Sequence, residues 1–264
     1  MRRGWFVVRQ RKQKFLCSKR SRDRGARPTA VRGLAGDTPA MRRVIILMCA
    51  LAMGVFPVQA QSVDALPRVL ISVEQRRLWV LSPAGDTLFA APVAVGSGRA
   101  LRTPERTWVF RTPRGETVVR LREVAPVWIP PDWHYEEVAH KLGLRTQRLA
   151  YDQSVSLDAG AQLLVRANTV GILGIDSVFR ALPVDEEIIF DGRLFIPPFG
   201  TKNRRVEGAL GPYRLMLANG VGLHGTPYKE SIGTASTHGC IRLHDEDITW
   251  LFENVPVGSR VTIY

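Results

Sequence analysis

Short apolar runs recur through the sequence beyond residue 65, and polar or Gly- and Pro-rich turns separate them. Runs of this length bounded by turn residues predict β-strands rather than helices. The first two runs, residues 68–73 and 78–81, flank the polar turn 74–77 and predict a β-hairpin. Further strands are predicted at residues 87–95, 107–110, 117–121, 187–190, 193–196, 213–217, 221–224 and 260–264. The pattern therefore predicts a mostly β fold with few short helices.

Two segments show the spacing of an amphipathic helix instead. Residues 135–144 carry Val138 and Leu142 four positions apart, which places both on one helix face. The second segment, residues 245–254, begins at Asp245, which we expect to cap its N-terminus. Its predicted apolar face consists of Ile248, Leu251, Phe252 and Val255.

Positive charge is concentrated ahead of these elements. Residues 1–60 hold 14 of the 37 Lys and Arg residues but only 2 of the 24 acidic residues. The rest of the chain is nearly neutral, so the net charge of +13 does not indicate that the main domain binds nucleic acid. Residues 1–40 lack hydrophobic periodicity, and we interpret them as a basic disordered leader or as sequence upstream of a true start at Met41.

Residues 41–60 have the pattern of a secretory signal peptide. Arg42 and Arg43 form a short positive segment, residues 44–56 are apolar, and Val-Gln-Ala at 58–60 is a small-x-small cleavage site. The apolar run is too short for a stable membrane span. We therefore expect an exported protein of the periplasm or cell envelope, without a stable span of the membrane.

Cleavage after this segment would remove Cys17 and Cys49 and leave Cys240. A single thiol forms no internal disulfide, so Cys240 is a buried hydrophobe, an intermolecular link or a nucleophile. Its neighbours in Ser-Thr-His-Gly-Cys-Ile-Arg, residues 236–242, are polar and basic, which favours the nucleophile. A histidine within hydrogen-bond reach can take the proton of such a thiol.

Two histidines are candidate bases for Cys240. His238 lies two residues before it, on the same face if the chain is extended, whereas His224 lies sixteen residues before it and can arrive from a neighbouring strand. Gly239 frees the local backbone, so the amides of Gly239 and Cys240 are candidate donors to an oxyanion. Arg242 can bind a substrate carboxylate or pair with the acidic start of the second helix.

Three blocks follow one another in this region: His224-Gly-Thr, Ser231-Ile-Gly and Ser236-Thr-His-Gly-Cys-Ile-Arg. Together they resemble the catalytic domain of the L,D-transpeptidase (YkuD-type) family of bacterial cell-wall enzymes. The similarity covers residues 68–132 and 206–264. The resemblance implies a catalytic domain at 67–264 with a mostly β, β-sandwich-like fold.

Residues 133–205 have no counterpart in that resemblance, and we expect them to form an inserted α+β segment. Long insertions with their own structure are usually functional, which favours a lid or a substrate-facing segment. A surface elaboration without a role in the chemistry is an equal alternative. We expect Trp133, at the start of the insertion, and nearby Trp128 to pack within the protein rather than to stack on glycan.

The resemblance also implies roles for individual residues. Cys240 corresponds to the nucleophile, His224 to the proton donor and acceptor, and the carbonyl of Gly225 to the group that orients the His224 ring. The remaining roles that it implies are support of the site or a structural hydrogen bond for His238, an oxyanion-binding backbone at Gly239, and substrate contacts for Thr237 and Arg242.

The chemistry implied by the resemblance is acyl transfer on peptidoglycan. The thiolate attacks the carbonyl of the third residue of a tetrapeptide stem and releases the terminal D-Ala. An amine of a second stem, or of an envelope protein, then takes the acyl group; water as acceptor would make the protein an L,D-carboxypeptidase. The resemblance implies no metal and no organic cofactor.

Two hypotheses from other classes use the same residues. A zinc-dependent hydrolase would bind its metal through His224, His238, Cys240 and His244, although His-x-Cys is an unusual ligand pair and no acidic general base has motif spacing. Alternatively, His244 starts the second helix and takes no part. A non-catalytic wall-binding module would retain the fold with an idle thiol, which the presence of both Cys240 and His224 disfavours.

Overall fold

The computed structural model describes residues 65–158 and 160–264. The predicted leader, residues 1–40, and the predicted signal peptide, residues 41–60, lie outside the described residues, as do Cys17 and Cys49. Among the helices of the described ranges, none has the length and apolar character needed to cross a bilayer.

Short β-strands dominate the described chain, with two α-helices among them. The elements are β1 (Arg68–Ser72), β2 (Arg77–Leu81), β3 (Thr87–Pro92), β4 (Val95–Gly96), β5 (Ala100–Arg102), β6 (Thr107–Val109), β7 (Gly115–Val124), α1 (Asp132–Leu142), β8 (Arg145–Arg148), β9 (Val155–Ser156), β10 (Gln162–Arg166), β11 (Thr169–Leu173), β12 (Phe179–Ala181), β13 (Ile188–Phe190), β14 (Arg193–Ile196), β15 (Tyr213–Leu217), β16 (Gly222–His224), β17 (Ala235–Thr237), β18 (Ile241–Arg242), α2 (Asp245–Asn254) and β19 (Arg260–Ile263). The prediction of a mostly β fold with few helices is confirmed.

Eight strands form the central sheet, in the order β18-β16-β15-β7-β19-β1-β2-β3. The pairs β1–β19 and β16–β18 run parallel and the other pairs antiparallel. Helix α2 lies against β15 and β16 and buries Ile248, Leu251 and Val255 completely. Each such side chain contributes roughly 1.5–3 kcal/mol on burial. The helix therefore stabilises the end of the sheet that is formed by β16 and β18.

The two helices differ in detail from the sequence prediction. Asp245 does not cap α2: the N-cap residue is His244, without a side-chain capping bond, and Asp245 accepts a hydrogen bond from the amide of Thr226 instead. Helix α1 begins at Asp132, three residues earlier than predicted, because Pro131 precedes it in an extended conformation. It ends at Leu142 because Gly143 takes a left-handed conformation, with φ of 66°.

The segment 133–205 folds into α1 and two small sheets. Their strand orders are β12-β11-β10-β9 and β13-β14-β8. Two apolar clusters lie within it: Leu149, Leu157, Leu163, Val170, Ile188 and Phe195 form one, and Tyr135, Ala139, Leu194 and Ile196 form the other. The strands β8 to β12 were not predicted from the sequence, because β8 is polar throughout and the others have apolar runs of three residues or fewer.

Arg204 forms hydrogen bonds with residues near both ends of this segment. Its guanidinium, only 3% exposed, donates hydrogen bonds to the carbonyls of Pro130 and Pro197 at 2.9 and 2.8 Å and to the carboxylate of Asp132 at 2.5 Å. The backbones of Trp128 and Val206 pair through hydrogen bonds in both directions just outside these contacts. The first residue of α1 is therefore fixed where the segment 133–205 begins and ends.

Candidate active site

The pairing of β16 with β18 places the motif residues side by side. Leu223 pairs with Ile241 and His224 pairs with Arg242. Because Leu223 and Ile241 point into the apolar core, their neighbours along each strand point to the opposite face. Cys240, which directly precedes β18, lies beside Gly222: a Cβ added to Gly222 would be 3.7 Å from Cys240 Sγ. His224 follows Gly222 by two residues and so shares this face with Cys240.

The ring of His224 is buried and held in one tautomer. Its Nδ1 lies 2.6 Å from the carbonyl oxygen of Gly225, and since a carbonyl only accepts, Nδ1 carries the proton and Nε2 is left as an acceptor. Burial lowers the pKa of His224 to about 4; the Gly225 bond opposes this effect, and the cations Arg242 and Arg214 add to it. The imidazole is therefore neutral at pH 7 and able to take a proton.

Gly225 occupies a position with no room for a side chain. A Cβ there would lie 2.4 Å from Asp245 Oδ1 and 3.1 Å from the backbone of Gly211. The same Asp245 oxygen accepts the amide hydrogen of Thr226 at 3.1 Å. The first residue of α2 thus holds the chain that follows His224, and with it the carbonyl that orients the ring.

Cys240 is exposed at the end of a loop that Thr237 braces. The buried hydroxyl of Thr237 donates to the carbonyl of Cys240 at 2.6 Å and accepts the amide hydrogen of Gly239 at 3.1 Å. The substrate contact expected for Thr237 stays a prediction; its hydroxyl has two partners within the loop. The oxyanion role of the Gly239 backbone also stays a prediction; its amide donates to the hydroxyl of Thr237. The amide of Cys240 has no hydrogen-bond partner among the described residues and remains available as a donor.

Thr112, which was not predicted from the sequence, also holds this loop. Its hydroxyl donates to the carbonyl of Gly239 at 3.0 Å and accepts the amide hydrogen of Gly96 at 2.8 Å. Gly239 itself has φ of 127°, and a Cβ there would lie 3.0 Å from the carbonyl oxygen of Arg111. No local pattern around Thr112 indicates these contacts, because Gly239 is 127 residues away in the chain.

His238 faces the inserted segment. Its Nε2 lies 3.1 Å from a carboxylate oxygen of Glu137 on α1, so it donates a hydrogen bond to that carboxylate. Trp133 stacks on the ring at 4.1 Å and 17°, and Phe110 meets it edge-on at 4.4 Å. Burial lowers the pKa of His238, although the nearby carboxylate of Glu137 opposes this effect. This hydrogen bond is compatible with either role expected for His238, and its partner Glu137 was not identified from the sequence.

Arg242 lies next to His224 in the strand register, with its guanidinium 5.8 Å from the centre of the Tyr228 ring. In the described part of the chain it forms no ion pair with Asp245 or Glu246, which was one of the two expectations for it. Its charge is therefore not neutralised by the start of α2.

The four residues of the zinc hypothesis do not gather at one point. His224 bonds to Gly225, His238 bonds to Glu137, and His244 is the N-cap residue of α2, as the helix-start interpretation expects. Within residues 65–158 and 160–264, no group of three or more His, Cys, Asp or Glu side chains is placed to hold a metal ion.

Comparison with known families shows to which family the chain belongs. The model of the L,D-transpeptidase catalytic domain (YkuD) matches residues 67–263. The chain belongs to the L,D-transpeptidase family. The match includes Cys240, His224 and the inserted segment, so the resemblance recognised from the three motif blocks is confirmed.

Individual L,D-transpeptidases are similar to parts of the chain. The probable L,D-transpeptidase ErfK/SrfK of Escherichia coli K12 is 27% identical over 195 residues, which cover 74% of this chain and 43% of that protein. The putative L,D-transpeptidase YkuD of Bacillus subtilis is 44% identical over 63 residues, covering 24% of this chain and 38% of that protein. The chain thus spans less than half the length of these curated relatives.

Solved L,D-transpeptidase structures align with most of the chain. The enzyme from Xylanimonas cellulosilytica has 13% identity and a TM-score of 0.39, covering 76% of this chain and 61% of that one. L,D-transpeptidase 3 from Mycobacterium tuberculosis, in complex with a faropenem-derived adduct, has 17% identity and a TM-score of 0.38, covering 75% and 60%.

Proposed function

We propose that this protein is a cysteine-dependent peptidoglycan L,D-transpeptidase that acts in the periplasm or cell envelope. The observation that carries the proposal is the parallel pairing of β16 with β18, which brings His224 and Cys240 to one face of the sheet. An exposed thiol beside a buried, neutral imidazole with a free Nε2 is the arrangement that nucleophilic acyl transfer requires.

In the first half-reaction, Cys240 Sγ attacks the carbonyl carbon of the third residue of a tetrapeptide stem. His224 Nε2 takes the thiol proton, and the amide of Cys240 donates to the oxyanion that develops. The bond to the terminal D-Ala then breaks, and His224 returns the proton to the departing amine. A thioester of Cys240 and free D-Ala are the products. Arg242 binds a carboxylate of the stem through its guanidinium.

In the second half-reaction, an amine of another stem attacks the thioester carbonyl and gives its proton to His224. The bond from Sγ to the acyl carbon breaks, the new amide forms, and the thiol regains the proton. An envelope protein that offers a lysine amine would be attached to the wall by the same steps. Water as acceptor would release a tripeptide stem, which is the carboxypeptidase alternative.

The experiment that tests the proposal is mass spectrometry of the protein after incubation with a carbapenem. Carbapenems mimic the acyl donor of this family and acylate an activated nucleophile. We expect one adduct, located by peptide mapping on Cys240, and none at that position in Cys240→Ala. The mapping is necessary because the full chain also contains Cys17 and Cys49. A folded, reduced protein that gains no adduct on Cys240 would contradict the proposal.

The acceptor is identified with a purified disaccharide tetrapeptide as substrate. Transpeptidation yields D-Ala together with a cross-linked dimer, whereas carboxypeptidase action yields D-Ala and a tripeptide without any dimer. Cys240→Ala is the matched control and should release no D-Ala. Fractionation of cells that express the full chain tests the proposed export: the protein should appear in the envelope or periplasmic fraction, and recovery from the cytoplasm alone would contradict it.

A further inference from the structure

We propose that Glu137, on the inserted helix α1, is a positioning residue for the nucleophile and acts on Cys240 through His238. The segment 133–205 is then a working part of the active site rather than a surface elaboration. A role of Glu137 in catalysis rests on the proposed function. The contacts described below show only how the loop that contains Cys240 is held.

The first of these contacts is the hydrogen bond between the two side chains. His238 Nε2 and Glu137 Oε2 are 3.1 Å apart, and the side chains are only 23% and 15% exposed. A hydrogen bond to a charged acceptor is roughly twice as strong as a neutral one, and partial burial protects it from competition by water. The carboxylate also requires Nε2 to carry the proton, which selects one tautomer of a neutral His238.

Aromatic contacts fix the plane of the same ring. Trp133, one turn before Glu137 on α1, stacks nearly parallel to His238, while Phe110 packs against it edge-on. Trp133 and Glu137 lie four positions apart on the helix and so project from the same face. Helix α1 therefore controls both the tilt of the His238 ring and the direction of its hydrogen bond.

The helix is itself anchored at its first turn. Asp132 is held by Arg204 at 2.5 Å and by Arg148 at 3.0 Å, and Arg204 also binds the carbonyl of Pro130, just before the helix. On the next turn, Glu136 accepts a hydrogen bond from Thr146 at 2.9 Å, on a side of the helix different from that of Glu137. These contacts fix the position of α1, so that Trp133 and Glu137 can hold the His238 ring in one orientation.

His238 lies within the loop that presents the thiol. Thr237, directly before it, bonds to the carbonyl of Cys240, and Gly239, directly after it, is held by Thr112. Loss of the Glu137 contact releases the His238 side chain, whereas the bonds of Thr237 and Thr112 to the rest of this four-residue loop remain. The position of Cys240 relative to His224 is then less well defined, and the thiol is deprotonated less efficiently.

Charged groups also surround the His238 ring. Glu137 faces it from α1, Arg242 from β18 and Arg99 from the chain before β5, while Lys141 contacts Glu137 from the exposed side at 3.4 Å. Lys141 is 63% exposed, so it competes weakly with His238 for the carboxylate.

The test is a double-mutant cycle on the full chain, read out by the rate at which iodoacetamide alkylates Cys240 at pH 7. The variants are Glu137→Ala, His238→Phe and their combination, and peptide mass spectrometry separates Cys240 from Cys17 and Cys49. His238→Phe keeps an aromatic ring on Trp133 but removes the hydrogen bond. Glu136→Gln is the matched control on the same helix, because its amide oxygen still accepts the hydrogen bond of Thr146. Glu137→Gln is the conservative variant, because its amide oxygen still accepts a hydrogen bond from Nε2 of His238.

We expect Glu137→Ala to slow alkylation by about fivefold to tenfold, the size typical of coupling between contacting side chains. In the His238→Phe background the same substitution should have no further effect. Glu137→Gln should recover most of the rate, and Glu136→Gln should match the wild type. Equal slowing by Glu137→Ala in both backgrounds, or a wild-type rate in Glu137→Ala, would overturn the inference.

The same variants are then incubated with a carbapenem, and formation of the Cys240 adduct is timed. A wild-type protein that is alkylated but forms no adduct contradicts the proposed function, whereas the alkylation cycle still decides the role of Glu137. A wild-type protein that is acylated, together with additive effects of Glu137→Ala and His238→Phe, contradicts only the positioning role.

Discussion

The Nδ1 atom of His224 donates a 2.6 Å hydrogen bond to the carbonyl oxygen of the adjacent Gly225. This bond turns the ring so that Nε2 has a free lone pair, and burial of the ring keeps it uncharged at pH 7. A base that is buried and neutral in the folded protein affects the stability of the fold as well as the reaction, because the unfolded chain binds a proton at a higher pH.

The first prediction concerns stability against pH. The pKa of His224 is about 4 in the fold, below its ordinary value of 6.5. Between these two values the unfolded chain binds a proton at His224 and the folded protein does not. The free energy of unfolding is therefore unaffected by His224 above pH 6.5 and decreases as the pH falls from 6.5 towards 4. A shift of this size corresponds to roughly 3 kcal/mol. Urea unfolding at pH 7 and pH 4 should show that the wild type loses roughly this much more stability than His224→Gln. An equal loss in the two proteins would show that His224 ionises normally in the fold.

The second prediction concerns the Thr112 hydroxyl, which joins the amide of Gly96 to the carbonyl of Gly239. Thr112→Val leaves both partly buried backbone groups unpaired and should lower the free energy of unfolding by about 1–3 kcal/mol. It should also slow acylation of Cys240 by a carbapenem, because the loop is less firmly held. Thr112→Ser retains the hydroxyl and serves as control; if both variants react like the wild type, the bridge does not position the loop.

The third prediction uses the backbone of Gly239. Gly239→Ala combines a positive φ of 127° with a Cβ only 3.0 Å from the carbonyl oxygen of Arg111, whereas Gly85→Ala introduces strain at φ of 102° with nothing within 4 Å. Each substitution costs about 1–3 kcal/mol in backbone strain, and the crowding adds to it for Gly239 alone. Urea unfolding should rank Gly239→Ala as the less stable variant, and only it should alter the carbapenem reaction. The reverse ranking would mean that the loop accommodates the methyl group.

The fourth prediction concerns the base of the inserted segment. Arg204→Met leaves the carbonyls of Pro130 and Pro197 unpaired and removes one of the two cations bound to Asp132, so it should destabilise the protein by about 3 kcal/mol. Arg148→Met removes the other cation, which is 56% exposed, and should cost less than about 1 kcal/mol. Thermal unfolding of both variants tests the difference, and similar midpoints would contradict an anchoring role for Arg204.

The fifth prediction separates thiol chemistry from the zinc hypothesis. Treatment with a chelator should leave the rate of carbapenem acylation unchanged, whereas prior alkylation of Cys240 should abolish it, because the proposed steps use only side chains and backbone amides of this chain. Loss of acylation on chelation, with recovery on addition of zinc, would support the metal site and contradict the cysteine mechanism.

Much of the fold and the choice of the proposed reacting pair follow from local sequence. Most strands of the central sheet were predicted because apolar residues recur there in short runs between turn residues. Helix α2 was predicted at its observed bounds, since Ile248, Leu251 and Val255 recur at helical spacing and are buried together. Cys240 and His224 were identifiable because three motif blocks occur in a fixed order around them.

The supports of the site could not be predicted in this way. Glu137 and His238 are 101 residues apart in the chain, and Thr112 and Gly239 are 127 residues apart. Sequence periodicity reports which face of an element is apolar, but it carries no information on which distant side chain meets a given hydroxyl or imidazole.

The sequence by itself therefore determined the family and indicated the proposed chemistry, through a thiol, an imidazole and glycines at the spacing of the L,D-transpeptidases. Only the tertiary structure decided what holds these groups in place, including the contact of the inserted helix with His238. The physical reason is that reactive groups must be of particular types at particular positions, whereas positioning depends on packing and hydrogen bonds between segments that meet only after the chain has folded.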